Sequence, residues 1–177
     1  MKKTIYSLVV VVTTAVTLYL VVSTVYLNII SKTKGPVHWH ADFEIWVCDK
    51  KLNLVDPTGF SNKIGTPLVH ELNDNRIHIE GVILDYRQAS LGNFFHTLGG
   101  VMRDDEIGIP TDGGMITARN GDKCNQKPAN LYVFVNGNFI KHPSEYVIAQ
   151  HERVPPGDKI KIVFTEKLPD EINGNLG

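Results

Sequence analysis

The sequence predicts a mainly β protein: a single compact β-sandwich or barrel-like domain with one short helix, preceded by one N-terminal transmembrane helix. Three observations support this prediction. Residues 4–30 contain no charged side chain. After residue 34, short apolar segments with a period of two alternate with clusters of Gly, Pro, Asn and Asp, a pattern typical of strands and turns. One segment there has apolar residues at helical spacing.

The apolar N-terminal segment is long enough to cross a bilayer as a helix, at about 1.5 Å rise per residue. Lysines flank it at positions 2, 3, 32 and 34. A cleaved signal peptide is the alternative, but its apolar core usually spans about 7–15 residues and is followed by a small-x-small cleavage site. The longer run and the absence of such a site favour an uncleaved anchor comprising residues 1–34.

The charge distribution bears on topology and partners. Because two lysines lie at each end of the anchor, their positions alone do not favour either orientation. The positive N-terminal amine and the absence of a second span favour a cytoplasmic N-terminus. The expectation is a single-pass cell-membrane protein whose domain, residues 35–166, is extracytoplasmic and ends in a flexible tail, residues 167–177. After position 34 there are fourteen basic and nineteen acidic residues, so this part has a formal net charge of −5. That balance argues against nucleic acid or an anionic lipid surface as partner.

The first predicted strand has the clearest pattern in the chain. Gly35-Pro36 ends the preceding helix, because proline cannot continue a helix and restricts the residue before it. From residue 37 to 48, apolar residues alternate with polar ones, so His38 and His40 share the polar face. A turn at residues 49–51 and a short strand at 52–55 follow.

The second clear feature is a hairpin of strands 67–72 and 76–84. If Asn73-Asp74-Asn75 forms a three-residue loop, a type I turn closed by a left-handed Asn, His70 lies directly opposite His78. A two-residue loop would instead pair His70 with Ile77 and place the two histidines on opposite faces. Glu80 shares the face of His78.

The remaining elements follow from turn residues and periodicity. Ser90 is a predicted N-cap and Gly99-Gly100 a predicted stop for the one short helix. Residues 103–130 are rich in Gly, Asp, Asn and Pro, which indicates a long loop with a short strand near 114–118. Asn136-Gly137 is a strong two-residue hairpin signal. The further predicted strands are 131–135, 138–140, 146–149 and 159–164.

The histidine spacing predicts a metal site. Residues two apart in a strand lie on one face about 6.5 Å apart, so two imidazoles can share a cation. The predicted ligands are His38, His40, His70 and His78, with Glu80 as a fifth ligand or as the group that fixes a histidine tautomer. Three or four imidazoles suit one zinc or copper ion best, and iron or nickel next. The alternative is a solvated strand face with hydrogen-bonded histidines.

Three other side chains have open roles. His96, on the short helix, is a capping or surface histidine or, less simply, a further metal ligand. Cys48 and Cys124 form a disulfide in an oxidising compartment, or remain two buried thiols, or supply one thiolate to the metal from Cys48.

Two resemblances extend this interpretation. The order of His38-x-His40, a hairpin ending in His78-Ile79-Glu80, the segment 91–95 and the late hairpin at Asn136-Gly137 resembles an uncharacterised family of membrane-anchored or exported β-rich proteins of archaea and uncultured bacteria. That resemblance covers most of residues 37–165 and implies a compact β-rich domain with the four histidines as its cluster. Residues 38–44 are also similar to the His-x-His strand of cupins, although the companion Pro-x-Gly motif ahead of a histidine is missing.

These observations support one functional hypothesis and two alternatives. The first is a membrane-anchored extracytoplasmic protein that binds one transition metal, for metal binding or sensing or for metal-dependent chemistry. The second is a non-catalytic surface or assembly module with structural histidines, and the third is a cupin-like metalloenzyme. No glycine-flanked serine, phosphate-binding glycine loop or haem-attachment motif is present in the sequence.

Overall fold

A computed structural model describes residues 2–58, 60, 62–148 and 157–173 of the 177-residue chain. The helices of this part are α1 (Lys2–Ile30), α2 (Leu91–Thr97) and α3 (Pro169–Asn173). Single 3-10 turns occur at Tyr86–Ala89 and Pro143–Glu145.

The strands belong to one large and two small sheets. The strands are β1 (Pro36–Val47), β2 (Lys50–Leu52), β3 (Ile64–Gly65), β4 (Val69–Glu71), β5 (Arg76–Val82), β6 (Val101–Met102), β7 (Glu106–Thr111), β8 (Gly114–Arg119), β9 (Lys123–Cys124), β10 (Lys127–Pro128), β11 (Asn130–Val135), β12 (Asn138–Phe139) and β13 (Asp158–Thr165). The large sheet has the order β12-β11-β13-β1-β5-β4-β3, with β2 paired to β1. β6-β7-β8 and β9-β10 form the small sheets.

The prediction of a mainly β domain behind one apolar helix is confirmed. The barrel-like alternative is wrong for the described residues, because the large sheet ends in the short strands β12 and β3 and no sheet closes. The sandwich is not confirmed.

Helix α1 is long and apolar enough to cross a membrane, and no residue of it is buried against the domain. A signal sequence meets the same criteria of length and composition. The segment after α1 lies close to the large sheet. The Lys32 amide donates a hydrogen bond of 2.8 Å to the carbonyl of Ile83, one residue beyond the end of β5. The end of the helix is therefore attached to the strand that contains His78 and Glu80.

Strand β1 is the centre of the large sheet because it pairs along both edges. Its second half runs parallel to β13, and its first half runs antiparallel to β5. Its apolar face packs into the core, where Trp39, Ala41 and Ile45 are buried. α2 covers this core with Phe94 and Phe95, both fully buried.

Turn chemistry explains two of the hairpins. Asn136 and Gly137 both have positive φ, as a type I′ turn requires, so the predicted hairpin β11–β12 is confirmed. Cys48 and Asp49 also have positive φ and join β1 to β2, with Val47 opposite Lys50. β2 therefore occupies most of the predicted turn at 49–51, and only Leu52 of the predicted strand 52–55 belongs to it. The predicted helix with its Ser90 N-cap is confirmed as α2, since the Ser90 side chain accepts a hydrogen bond from the Asn93 amide.

The prediction of a long loop at residues 103–130 is wrong. β7 and β8 form a regular hairpin there, with Thr111 opposite Gly114, and only the strand near 114–118 was expected. The polar composition reflects β8, which is exposed at most positions, while Ile107 and Ile109 of β7 are buried. Asp112-Gly113 at the turn is itself a typical hairpin signal.

Of the two strands predicted after residue 145, one is confirmed and the other is not. The strand expected at 159–164 is confirmed as β13, with Ile160, Ile162 and Phe164 buried. The strand expected at 146–149 is reduced to a single bridge between Val147 and Ser90, and residue 149 lies outside the described residues. Within the predicted tail, α3 buries Ile172, and residues 174–177 lie outside the described part.

Candidate metal centre

Three adjacent strands place the predicted ligands on one face of the large sheet. β1 and β5 pair so that His40 lies opposite His78 and His38 lies opposite Glu80. β5 and β4 pair so that His78 lies opposite His70. The predicted register of the hairpin is therefore confirmed, and His78 is the cross-strand neighbour of two histidines.

The loop between β4 and β5 fixes this register. Asn75 has the predicted left-handed conformation, but Asn73 also has positive φ, so the predicted type I turn is wrong. Asn tolerates positive φ better than most residues. The buried Glu71 carboxylate accepts hydrogen bonds from the amides of Asp74 at 2.7 Å and Asn75 at 2.9 Å. Such charge-assisted bonds favour this three-residue loop over a two-residue one.

Alternation along the strands separates the site from the core. Trp39, Ile77 and Ile79 alternate with the histidines of β1 and β5 and are buried in the apolar core. The histidines therefore face the opposite side of the sheet. A slip of one residue in either pairing would exchange the two sets, at the cost of burying imidazoles in the core.

The imidazole rings are in contact with one another. The ring centroids of His38 and His40 are 4.6 Å apart, as are those of His40 and His78. The rings of His70 and His78 are stacked, with centroids 5.4 Å apart. Ligand atoms within 4.8 Å of one another form two groups, His38–His40–His78 and His70–His78–Glu80. Ligands of one tetrahedral zinc lie about 3.3–3.4 Å apart, given metal–nitrogen distances near 2.0–2.1 Å, so small side-chain adjustments would close either group around an ion.

Two carboxylates contact this cluster. Glu80 Oε1 lies 3.1 Å from His38 Nε2, and Glu80 Oε2 lies 4.0 Å from His70 Nε2. Asp74 Oδ2 lies 3.0 Å from His78 Nε2. Glu80 was a predicted member of the site, whereas Asp74 was treated only as a loop residue. A carboxylate in the loop, four residues before His78, was the signal for it.

Burial leaves several imidazole nitrogens without a partner. His40, His70 and His78 have only 8%, 1% and 7% of their surface exposed. Both nitrogens of His40, and Nδ1 of His70, have no hydrogen-bond partner among the described residues. A buried polar atom without a partner costs about 1–3 kcal/mol. A cation bound at either histidine would supply a partner for one of these nitrogens.

The electrostatic environment keeps the two buried histidines neutral. Burial lowers the pKa of His40, with His78 and His38 adding a smaller effect in the same direction. Burial also lowers the pKa of His70, followed by the positive charge of Lys63, while Glu80 acts in the opposite direction. A neutral imidazole is the form that binds metal, so the lowered pKa keeps both histidines competent ligands at lower pH than an ordinary histidine.

The other candidates lie apart from the cluster. His96 lies on the exposed face of α2 and belongs to neither ligand group. Cys48 forms a disulfide with Cys124, so the alternative of a Cys48 thiolate ligand is wrong. His142 contacts Asp104 at 2.7 Å, away from the ligand groups. His151 lies outside the described residues.

Gly157 lies against the backbone of His40 in β1, and this close approach yields a prediction. A β-carbon at this position would overlap the backbone carbonyl of His40, where the chain enters β13 beside β1. We expect Gly157→Ala to lower the free energy of unfolding by about 1–3 kcal/mol and to weaken metal binding, since β1 must move at His40. Urea unfolding and a metal titration measure both effects.

The matched control for that change is Gly113→Ala. A β-carbon at Gly113 meets only Thr111 Oγ1, at an ordinary 3.7 Å. If both alanine variants unfold at the same urea concentration as the parent, the close approach of Gly157 to His40 has no energetic importance.

Comparisons of the chain with protein-family models, with curated proteins and with solved structures find no match in any of the three. The function is therefore argued from the chemistry of the site.

Proposed function

We propose that this protein is a membrane-anchored, extracytoplasmic metal-binding protein that holds a transition metal through histidines of β1, β4 and β5. The observation that most supports the proposal is the pair of buried histidines, His40 and His70, inside a cluster of further metal-ligating side chains. Both nitrogens of His40 and Nδ1 of His70 lack a hydrogen-bond partner within the part of the chain that the structure describes. Imidazole with one carboxylate suits zinc or copper best, and also iron or nickel.

The location rests on two further features. α1 is apolar and long enough for a membrane anchor, and the Cys48–Cys124 disulfide fits an oxidising compartment outside the cytoplasm. The N-terminal amine adds a third positive charge to Lys2 and Lys3 before the span, against Lys32 and Lys34 after it, which fits a cytoplasmic N-terminus. For a reporter fused after residue 177, we expect activity from an enzyme that works only after export and none from an enzyme that works only in the cytoplasm. The opposite result would mean that the C-terminal domain is cytoplasmic.

The site is open enough for exchange or chemistry. His38 has 56% of its side chain exposed and Glu80 has 41%, whereas His70 is fully enclosed. A metal held from the buried side and reachable at His38 fits metal binding, sensing, or chemistry at an open coordination position.

The test is metal retention by the full chain in detergent. We expect protein loaded with Zn²⁺ or Cu²⁺ and passed through a desalting column to retain at least one equivalent by elemental analysis. The double variant His38→Ala/His78→Ala should retain none, while the control His96→Ala/His142→Ala should match the parent. If the parent retains no zinc, copper, iron or nickel, the histidines are structural and the surface-module alternative takes precedence.

A further inference from the structure

The ligand atoms of the cluster gather around two points. His38 and His40 form one group with His78, and His70 and Glu80 form the other, again with His78, while Glu80 Oε1 is also 3.1 Å from His38 Nε2. The row runs across three strands, from β1 through β5 to β4. A single ion with metal–nitrogen distances near 2.0–2.1 Å can complete only one of these groups at a time.

The unpartnered nitrogens lie in both groups. Among the described residues, His40 of the first group has two buried nitrogens without a partner, and His70 of the second group has one, Nδ1, while its Nε2 is the atom nearer to Glu80. One ion bound at His40 would leave His70 Nδ1 unsatisfied, and one ion bound at His70 would leave both nitrogens of His40 unsatisfied. A second ion gives the other buried histidine a partner as well, and leaves one of the two nitrogens of His40 unsatisfied, because an imidazole ligand binds an ion through one nitrogen.

Glu80 is positioned to join the two groups. Its Oε1 lies 3.1 Å from His38 Nε2, and its Oε2 lies 4.0 Å from His70 Nε2. A carboxylate whose two oxygens face two different ligand groups can bridge two cations and offset part of their mutual repulsion. The half-exposed position of Glu80 also leaves room for water between the ions.

We propose that the cluster binds two transition-metal ions side by side. His38 and His40 hold the first ion and His70 holds the second, Glu80 bridges the pair, and His78 lies between them as a ligand of either ion. The proposal rests on the metal-binding function proposed above. Paired ions about 3.5–4 Å apart can orient an oxygen ligand such as water or a small oxyanion between them.

The experiment is a Cu²⁺ titration of the full chain in detergent, followed by elemental analysis and electron paramagnetic resonance. We expect two retained equivalents, and a spectrum broadened by coupling between neighbouring Cu²⁺ ions once the second equivalent is added. Glu80→Gln keeps the size of the side chain but cannot bridge as an anion, so it should weaken the second equivalent at least about tenfold and remove the coupling.

The control is Glu44→Gln, which alters an acidic residue of β1 that contacts Lys161 at 3.4 Å and belongs to neither ligand group. It should keep both ions and the coupling, and circular dichroism checks that each variant is folded. One equivalent with an uncoupled spectrum in the parent would overturn the two-ion proposal and leave the proposed function intact. Two uncoupled equivalents that Glu80→Gln leaves unchanged would also overturn it, and no retained metal would overturn both proposals.

Discussion

His78→Ala is expected to abolish measurable metal binding. His78 is the residue common to both ligand groups, and it is the cross-strand neighbour of both His40 and His70. Loss of a residue that hydrogen-bonds to a metal ligand typically lowers metal affinity 10–100-fold. We therefore expect the loss of this shared ligand to lower metal affinity about 100-fold or more. Competition against a chromophoric chelator measures the affinity of parent and variant for Zn²⁺ and Cu²⁺.

The matched control for His78→Ala is His142→Ala. His142 also contacts a carboxylate, Asp104, at 2.7 Å, but it is exposed and outside the ligand groups. We expect the metal affinity of His142→Ala to stay within about twofold of that of the parent, since this change removes a histidine that does not contact the cluster. Equal affinities of the parent and His78→Ala would contradict the site as described.

The second large effect concerns the disulfide. Cys48 lies in the turn after β1 and Cys124 in β9, 76 residues further along the chain. In the chain-entropy description, a disulfide that closes a loop of this length in the unfolded chain raises the free energy of unfolding by about 4 kcal/mol. The usual range for native disulfides of small exported domains is about 2–5 kcal/mol. We expect Cys48→Ala/Cys124→Ala to lower the free energy of unfolding by that amount in urea.

Reduction provides the internal control for that prediction. A reducing agent should destabilise the parent by a similar amount and leave the double variant unchanged. Metal affinity should persist in the folded variant, because Cys48 lies at the opposite end of β1 from His38 and His40. A shift smaller than about 0.5 kcal/mol in both comparisons would mean that the cross-link has no role in stability.

Local sequence patterns were sufficient for part of the site. Strict alternation from residue 37 to 45 places His38 and His40 on one face, and Asn73-Asp74-Asn75 determines that His70 faces His78. Both features depend on short-range geometry, namely the period of a strand and the φ angles that Asn tolerates. The same is true of the Asn136-Gly137 hairpin.

The sequence predicts that the four histidines share one site, but local patterns do not determine the union of the two histidine pairs. It depends on β1 pairing with β5 so that His38 faces Glu80, and these residues are separated by the whole of β2, β3 and β4. A shift of two residues in that pairing would preserve both faces and all local patterns, yet would separate the ligands along the strands. The division into two groups follows from this long-range register.

The misassigned segment at 103–130 has a different cause. Its polar composition predicts a loop, although Glu106–Thr111 contains the alternating Ile107 and Ile109 that are buried in the structure. An edge hairpin with one exposed strand has few apolar residues, so composition alone favoured a loop.

The most direct measurement is X-ray absorption at the metal edge of the full chain loaded with Zn²⁺. The account predicts a first shell of nitrogen and oxygen near 2.0–2.1 Å, with the outer-shell multiple scattering that is characteristic of at least two imidazole rings, and its loss in His78→Ala. A shell of light atoms without imidazole scattering would mean that the histidines of β1, β4 and β5 do not bind the metal, and would contradict the central claim.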